Sequence, residues 1–195
     1  AGYDVSCVFY KDFNSVRPRP STRREAELFL QVVREKQPVL VGLSVMSSMY
    51  LDTVYQLMDG LVREQIAPLV CGGAYATMFP EKLLERGADF VLRFDGECAI
   101  CRLADALRLG SDWRSIPSVF WREEGKIHQN EIGDLLSDVD GYGIPVVNSV
   151  GACFIDHDAI AWGDPQRNTR SYEVIASRGC PFTCSYCCCV NLRRL

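Results

Sequence analysis

Three cysteines stand close together in the run SRGCPFTCSYC, at Cys180, Cys184 and Cys187. Their spacing is Cys-x-x-x-Cys-x-x-Cys, and Tyr186 directly precedes the third. Three thiolates on so short a loop can hold three irons of a four-iron cluster, leaving the fourth iron open to chemistry. Thiolates suit zinc as well, but a closed structural zinc site takes four protein ligands. Using Cys188 or Cys189 as the fourth would force adjacent ligands onto one tetrahedron; as small hydrophobes those two simply pack. Disulfides are not expected. The sequence shows no signal peptide and no apolar run long enough to span a bilayer, so a reducing cytoplasm is the expected compartment.

Other residues offer weaker signals. Cys98 and Cys101 form a Cys-x-x-Cys pair, a redox or zinc spacing. They sit in GECAICRLADALRL, an amphipathic helical pattern in which positions three apart share a face, so two buried helical thiols are expected. His128 and His157 are expected to face solvent. Small and polar residues gather in three further runs, SVMSSM (44–49), CGGAYAT (71–77) and FDGE (94–97). The glycines 72 and 73 let a ligand approach the backbone closely, and the hydroxyls of Ser44, Ser47, Ser48 and Thr77 can bond a polar tail. No Gly-x-Gly-x-x-Gly or Walker pattern occurs, so nucleotide binding is not favoured.

The elements that must position these residues alternate. A β-rich run at 4–10 precedes a 3.6-period helix at 22–36, an apolar strand at 39–45 and a helix at 51–65. A strand at 67–73, a short helix at 80–86, a strand at 89–94 and a helix from Gly96 follow. Continuous apolar strands between helices predict a parallel sheet buried on both faces. Ligands of such sheets sit outside the carboxyl ends of the strands, where the three small-residue runs fall. The segment 118–129 reads as a hairpin around Gly125, and 130–170, with no clear period, as a connector. YEVIAS (172–177) reads as one more strand, feeding the cysteine loop. The chain of 195 residues has a net charge of −4 and a pI near 5.3. That balance argues against a broad nucleic-acid footprint.

SRGCPF with its cysteine spacing resembles the radical S-adenosylmethionine (SAM) superfamily. The resemblance implies that Cys180, Cys184 and Cys187 hold a [4Fe-4S] cluster, that SAM chelates the open iron, and that Tyr186 lies against the adenine. The wider run from Gly2 to Leu109 is similar to the cobalamin-binding domain of one class of these enzymes. Gly72-Gly73-Ala74-Tyr75-Ala76-Thr77, Pro80 and Gly96-Glu97 match that pattern, with Tyr75 where a histidine is usual. By resemblance, Ser44, Ser47, Gly72, Gly73, Ala74, Thr77, Gly96 and Glu97 line the cobalamin slot. The Asp-x-His-x-x-Gly signature of cobalt-ligating histidine would fall upstream of Ala1.

The expected organisation is a flavodoxin-like cobalamin-binding α/β domain over 1–110, a hairpin and connector over 111–170, and the start of a TIM-type barrel over 171–195. The chain reads as cut at both ends, its first strand and most of the barrel missing. The implied activity is reductive cleavage of SAM to start radical chemistry, with methyl transfer or ring formation following. The implied partners are a small-molecule or peptide substrate and a reductant such as flavodoxin or ferredoxin, with no nucleic acid and no membrane. Two alternatives stand beside it: a radical SAM enzyme whose first domain binds substrate or a partner protein, and a zinc-binding scaffold without catalysis.

Overall fold

A computed structural model of the chain describes residues 2–11, 20–133, 141, 150–168 and 178–192. Strand β1 (Cys7–Tyr10) precedes helix α1 (Arg23–Lys36). Thr22 caps α1 in a reciprocal box: its hydroxyl accepts the Glu25 N–H at 3.0 Å, and the Glu25 carboxylate accepts the Thr22 N–H at 2.8 Å. Then come β2 (Val41–Ser44), a single 3-10 turn (Ser48–Tyr50) and α2 (Leu51–Glu64). The chain continues through β3 (Leu69–Gly72), α3 (Ala74–Met78), α4 (Pro80–Glu85), β4 (Phe90–Leu92) and α5 (Glu97–Leu109). Two hairpins follow, β5 (Val119–Glu123) with β6 (Lys126–Gln129), and β7 (Ala152–Asp156) with β8 (Ala159–Trp162). Helix α6 (Cys188–Leu192) closes the described chain.

The main sheet runs β2-β3-β4-β5-β6. Its first three strands are parallel, and β5 and β6 extend it in antiparallel fashion. Successive residues go to opposite faces, as a pleated strand requires. Leu69, Cys71, Val91 and Phe120 enter the core formed with α1 to α4, while Val70, Phe90, Leu92 and Trp121 pack with Leu103 and Ala106 of α5. The sheet is therefore covered on both sides, which accounts for its unbroken apolar strands. The hairpin at 119–129 belongs to this sheet.

A second sheet runs β1-β7-β8, with β1 parallel to β7. Within the segment read as a connector over 130–170, residues 152–162 form a hairpin, and Ile155 is fully buried in the main core. Its sheet is pinned by a buried ion triad. Lys11 donates to Glu25 at 2.8 Å and to Asp156 at 2.6 Å. The Thr22 hydroxyl also donates to Asp158 in the β7–β8 turn.

The thiols expected to be buried in α5 are exposed at both Cys98 and Cys101. The buried stripe of that helix runs through Ala99, Leu103 and Ala106, and both cysteines lie off it. His157 is exposed as expected, but His128 is half-covered, stacked on Trp121 with centroids 5.2 Å apart. The strand expected at 172–177 lies outside the described residues, as do residues 193–195 of the barrel's expected opening segment. No helix among the described residues is long and apolar enough to cross a membrane.

Candidate cofactor site at the strand ends

The carboxyl ends of β2, β3 and β4 meet at one edge of the main sheet. Ser44, exposed, is in register with Gly72 on the neighbouring strand. The two chains stay laced beyond the strands: Val45 N–H donates to the Gly72 carbonyl at 2.7 Å, and Tyr75 N–H to the Val45 carbonyl at 3.0 Å. Gly73 sits at φ +101°, and a Cβ there would come within 2.8 Å of the Val45 carbonyl oxygen. Its missing side chain is thus required by the neighbouring loop. Gly72 differs. A Cβ on Gly72 would meet nothing nearer than the Leu92 carbonyl oxygen at 4.0 Å, so the bare backbone at Gly72 borders open space beside Ser44.

The remaining loop residues brace this edge. The expectation that Thr77 offers its hydroxyl to a ligand meets a different geometry. Thr77 is 2 % exposed. Its hydroxyl donates to the Gly73 carbonyl at 3.1 Å and accepts the Phe94 N–H at 3.0 Å, tying the β3 loop to the β4 loop. Arg93 reinforces that tie by donating to the Thr77 carbonyl at 2.9 Å. Ser47 accepts the Met49 N–H at 3.2 Å and so caps the 3-10 turn. Ala74 is half-buried in the first turn of α3, a helix that the expected loop at 71–77 did not include. Tyr75 is buried, its ring tilted against Phe79 at 5.0 Å between centroids. Met46 and Met49 are exposed beside Ser44 (64 % and 76 %), offering adaptable apolar surface to a flat ligand.

The cysteine loop reaches this same edge. Arg178 donates to Asp95 at 2.8 Å and to Glu97 at 2.6 Å, across 83 and 81 residues of sequence. Helix α6 packs against α3. Gly96 caps α5, its carbonyl accepting the Ile100 N–H at 2.8 Å. Glu97, expected among cofactor contacts, thus has its carboxylate engaged by Arg178. Arg178 and Asp95 were not singled out from sequence, although each stands inside a quoted run. Opposite charges beside the two motifs were the one available signal.

Within the loop, Cys180 and Cys187 are half-buried and Cys184 is exposed. Cys187 N–H donates to the Cys184 carbonyl at 3.2 Å, a turn that holds the second and third cysteines together. The backbone N–H of Cys189, then the thiols of Cys189 and Cys188, hold the Cys187 thiol below its ordinary pKa, toward the thiolate that metals bind. The donor chemistry suits iron, yet no three Cys, His, Asp or Glu side chains among the described residues converge on one metal position. Tyr186 and Phe182 are exposed, at 90 % and 69 %. A shallow depression beyond the carboxyl end of α5, lined by Leu107, Gly110, Trp113 and Arg114, lies among none of the strand-end loops.

A parallel sheet whose strand-end loops leave backbone bare, with a cysteine loop fastened beside them, defines a cofactor-binding α/β domain. The sequence model of the B12 binding domain matches residues 1–104, and the chain belongs to that family. It is 27 % identical over 161 residues to an uncharacterised methyltransferase of Pyrococcus horikoshii, covering 80 % of this chain and 33 % of that protein. It is 25 % identical over 130 residues to the anaerobic magnesium-protoporphyrin IX monomethyl ester cyclase of Synechocystis, covering 65 % and 24 %. The chain therefore spans about a third of the first relative's length and a quarter of the second's. Its fold is shared with the radical SAM methyltransferase TsrM of Kitasatospora setae, solved with cobalamin and a [4Fe-4S] cluster bound. That match has a TM-score of 0.50 and 21 % identity over 58 % of this chain and 22 % of that one. The cobalamin-dependent radical SAM enzyme OxsB, solved with aqua-cobalamin, gives a TM-score of 0.50 and 15 % identity over 56 % and 16 %.

Proposed function

We propose that this chain is the cobalamin-binding part of a radical SAM enzyme, together with the loop that holds its iron–sulfur cluster. The observation that carries the reading is the open backbone at Gly72 beside Ser44, on the edge to which Arg178 fastens the cysteine loop. Ser44 and the Gly72 backbone hold the cofactor's polar tail, and Met46 and Met49 cover its apolar surface. Thr77 and Gly73 keep the β3 loop in place without touching it. Cys180, Cys184 and Cys187 ligate the cluster, and Tyr186 offers its ring to the adenine of SAM. Bound there, the cluster would supply one-electron reduction of SAM, and cobalamin a transferable methyl group. Methyl transfer fits the first relative and ring formation the second; the substrate is a small molecule or peptide, and the electron comes from a flavodoxin- or ferredoxin-type donor.

The test is to count cobalamin and iron per chain on one sample, after anaerobic reconstitution and size exclusion. The expected result is about one cobalamin and four irons, in line with one site of each kind. Cys180→Ala, Cys184→Ala and Cys187→Ala should each remove the brown thiolate-to-iron absorption and leave cobalamin bound. Cys188→Ala and Cys189→Ala should keep both. Iron without cobalamin would move the reading to a radical SAM enzyme whose first domain binds something else. Zinc retained in place of iron would sink it.

A further inference from the structure

Arg178 is the residue before Gly179 and Cys180, at the start of the cysteine loop. Gly179 sits at φ +85°, and a Cβ there would meet nothing within 4 Å. The backbone thus turns at Gly179 in the left-handed region that favours glycine. Two contacts bracket it. On one side the Arg178 guanidinium reaches Asp95 at 2.8 Å and Glu97 at 2.6 Å, one nitrogen to each carboxylate. On the other side α6 packs on α3. Glu97 lies in the first turn of α5, where the helix dipole favours an anion. Asp95 has only 18 % of its side chain exposed.

We propose that Arg178 is a positioning residue: it seats the cysteine loop on the cofactor edge of the B12 binding domain, with Asp95 and Glu97 as its receptor. The proposal rests on the function proposed above, since it sets where the cysteine loop stands relative to the Ser44–Gly72 edge. Arginine suits the task because its planar fork addresses two carboxylates at fixed angles; lysine places a single point charge. Partly exposed ion pairs add little to global stability. The predicted effect is therefore local, confined to the segment that the pair holds.

The test is amide hydrogen exchange of residues 180–192 in the full 195-residue chain, comparing Arg178→Gln, Arg178→Lys and the double variant Asp95→Asn/Glu97→Gln. Arg178→Gln and the double variant should exchange roughly three- to tenfold faster there, as a loosened local unit does. Protection in β2, β3 and β4 should stay unchanged, showing that the domain itself remains folded. Arg178→Lys should recover part of the protection. The reversed set Arg178→Glu/Glu97→Arg should exceed Arg178→Glu alone. Raising salt should speed exchange in the native chain but not in Arg178→Gln. Unchanged exchange at 180–192 in Arg178→Gln, or no gain from the reversed set, would overturn the proposal. The measurement needs no bound cofactor. A chain that takes up no cobalamin yet shows these shifts would sink the proposed function and leave the seating role standing.

Discussion

A Cβ on Gly73 would press on the Val45 carbonyl carbon at 3.0 Å as well as on its oxygen, while a Cβ on Gly72 would meet only the Leu92 carbonyl oxygen, at an ordinary contact distance of 4.0 Å. Sequence reasoning treated the two glycines alike; the structure distinguishes them by what a side chain at each would meet. The two should separate experimentally. Gly73→Ala adopts a backbone that L residues avoid and meets an oxygen of main chain that cannot swing aside, at a cost of about 1–3 kcal/mol. Its urea midpoint should fall accordingly. Gly72→Val keeps an ordinary strand backbone and should hold its midpoint within about 1 kcal/mol while losing most of its cobalamin. Ser44→Val should weaken cobalamin by less, since one hydrogen bond is worth about 0.5–1.5 kcal/mol net. Equal loss of stability in the Gly72 and Gly73 variants would show that neither borders a ligand. The glycine pair itself was legible because two glycines end a buried strand. Which of the two serves the neighbouring loop was not, since that depends on Val45 arriving from another strand.

At the scale of elements, the ion triad joins three of them: Lys11 follows β1, Glu25 opens α1 and Asp156 ends β7. Burial alone would pull the Lys11 ammonium down, but its hydrogen bonds to Asp156 and Glu25 outweigh that and raise its pKa. Burial would likewise raise the Asp156 carboxyl, but the Lys11 bond, the His157 N–H and the Lys11 charge hold it below its usual value. The depressed group contributes stability that is present above its unfolded pKa of about 3.9 and lost as pH falls through the lower folded value. The raised ammonium contributes stability that is lost only as pH rises through its folded value, above about 10.4. Urea unfolding should therefore show a steep loss of stability below about pH 4, and Asp156→Asn should flatten that slope. Lys11→Met leaves Glu25 buried without its cation and should cost about 3–5 kcal/mol at pH 7. The helices and parallel strands of this chain were legible from their periods. The β7–β8 hairpin was not. Its turn is His157-Asp158, both at positive φ (50° and 59°), with none of the glycine that usually marks such a turn. Helix α3 was missed for a different reason: five residues show no helical period.

At the scale of the whole molecule, the two sheets share one core through Ile155. A chain of residues 1–133 keeps the five-stranded sheet but loses the partner of β1, the Asp156 carboxylate and the buried Ile155 side chain. Its thermal transition should be broader and fall at lower temperature than that of residues 1–195, followed by circular dichroism. An unchanged, sharp transition would show that the second sheet adds nothing to the stability of the first. How the cysteine loop sits on this body was not legible, because the Arg178 pairs span more than eighty residues of chain and leave no local pattern.

The pairing of β1 with β7 also sets an order in time. Strands β2, β3 and β4 pair with partners close along the chain, Val41 with Leu69 and Val70 with Phe90. Cys7 pairs with Ala152, and Lys11 bonds Asp156 at a separation of 145 residues. Contacts of such long range close late, because the loop entropy must be met before they form. During synthesis β1 emerges before β2 to β6 and meets β7 only after them. It waits through the birth of the entire main sheet as an unpaired edge, the state in which a nascent strand is most exposed to chaperones and to its neighbours on the same messenger.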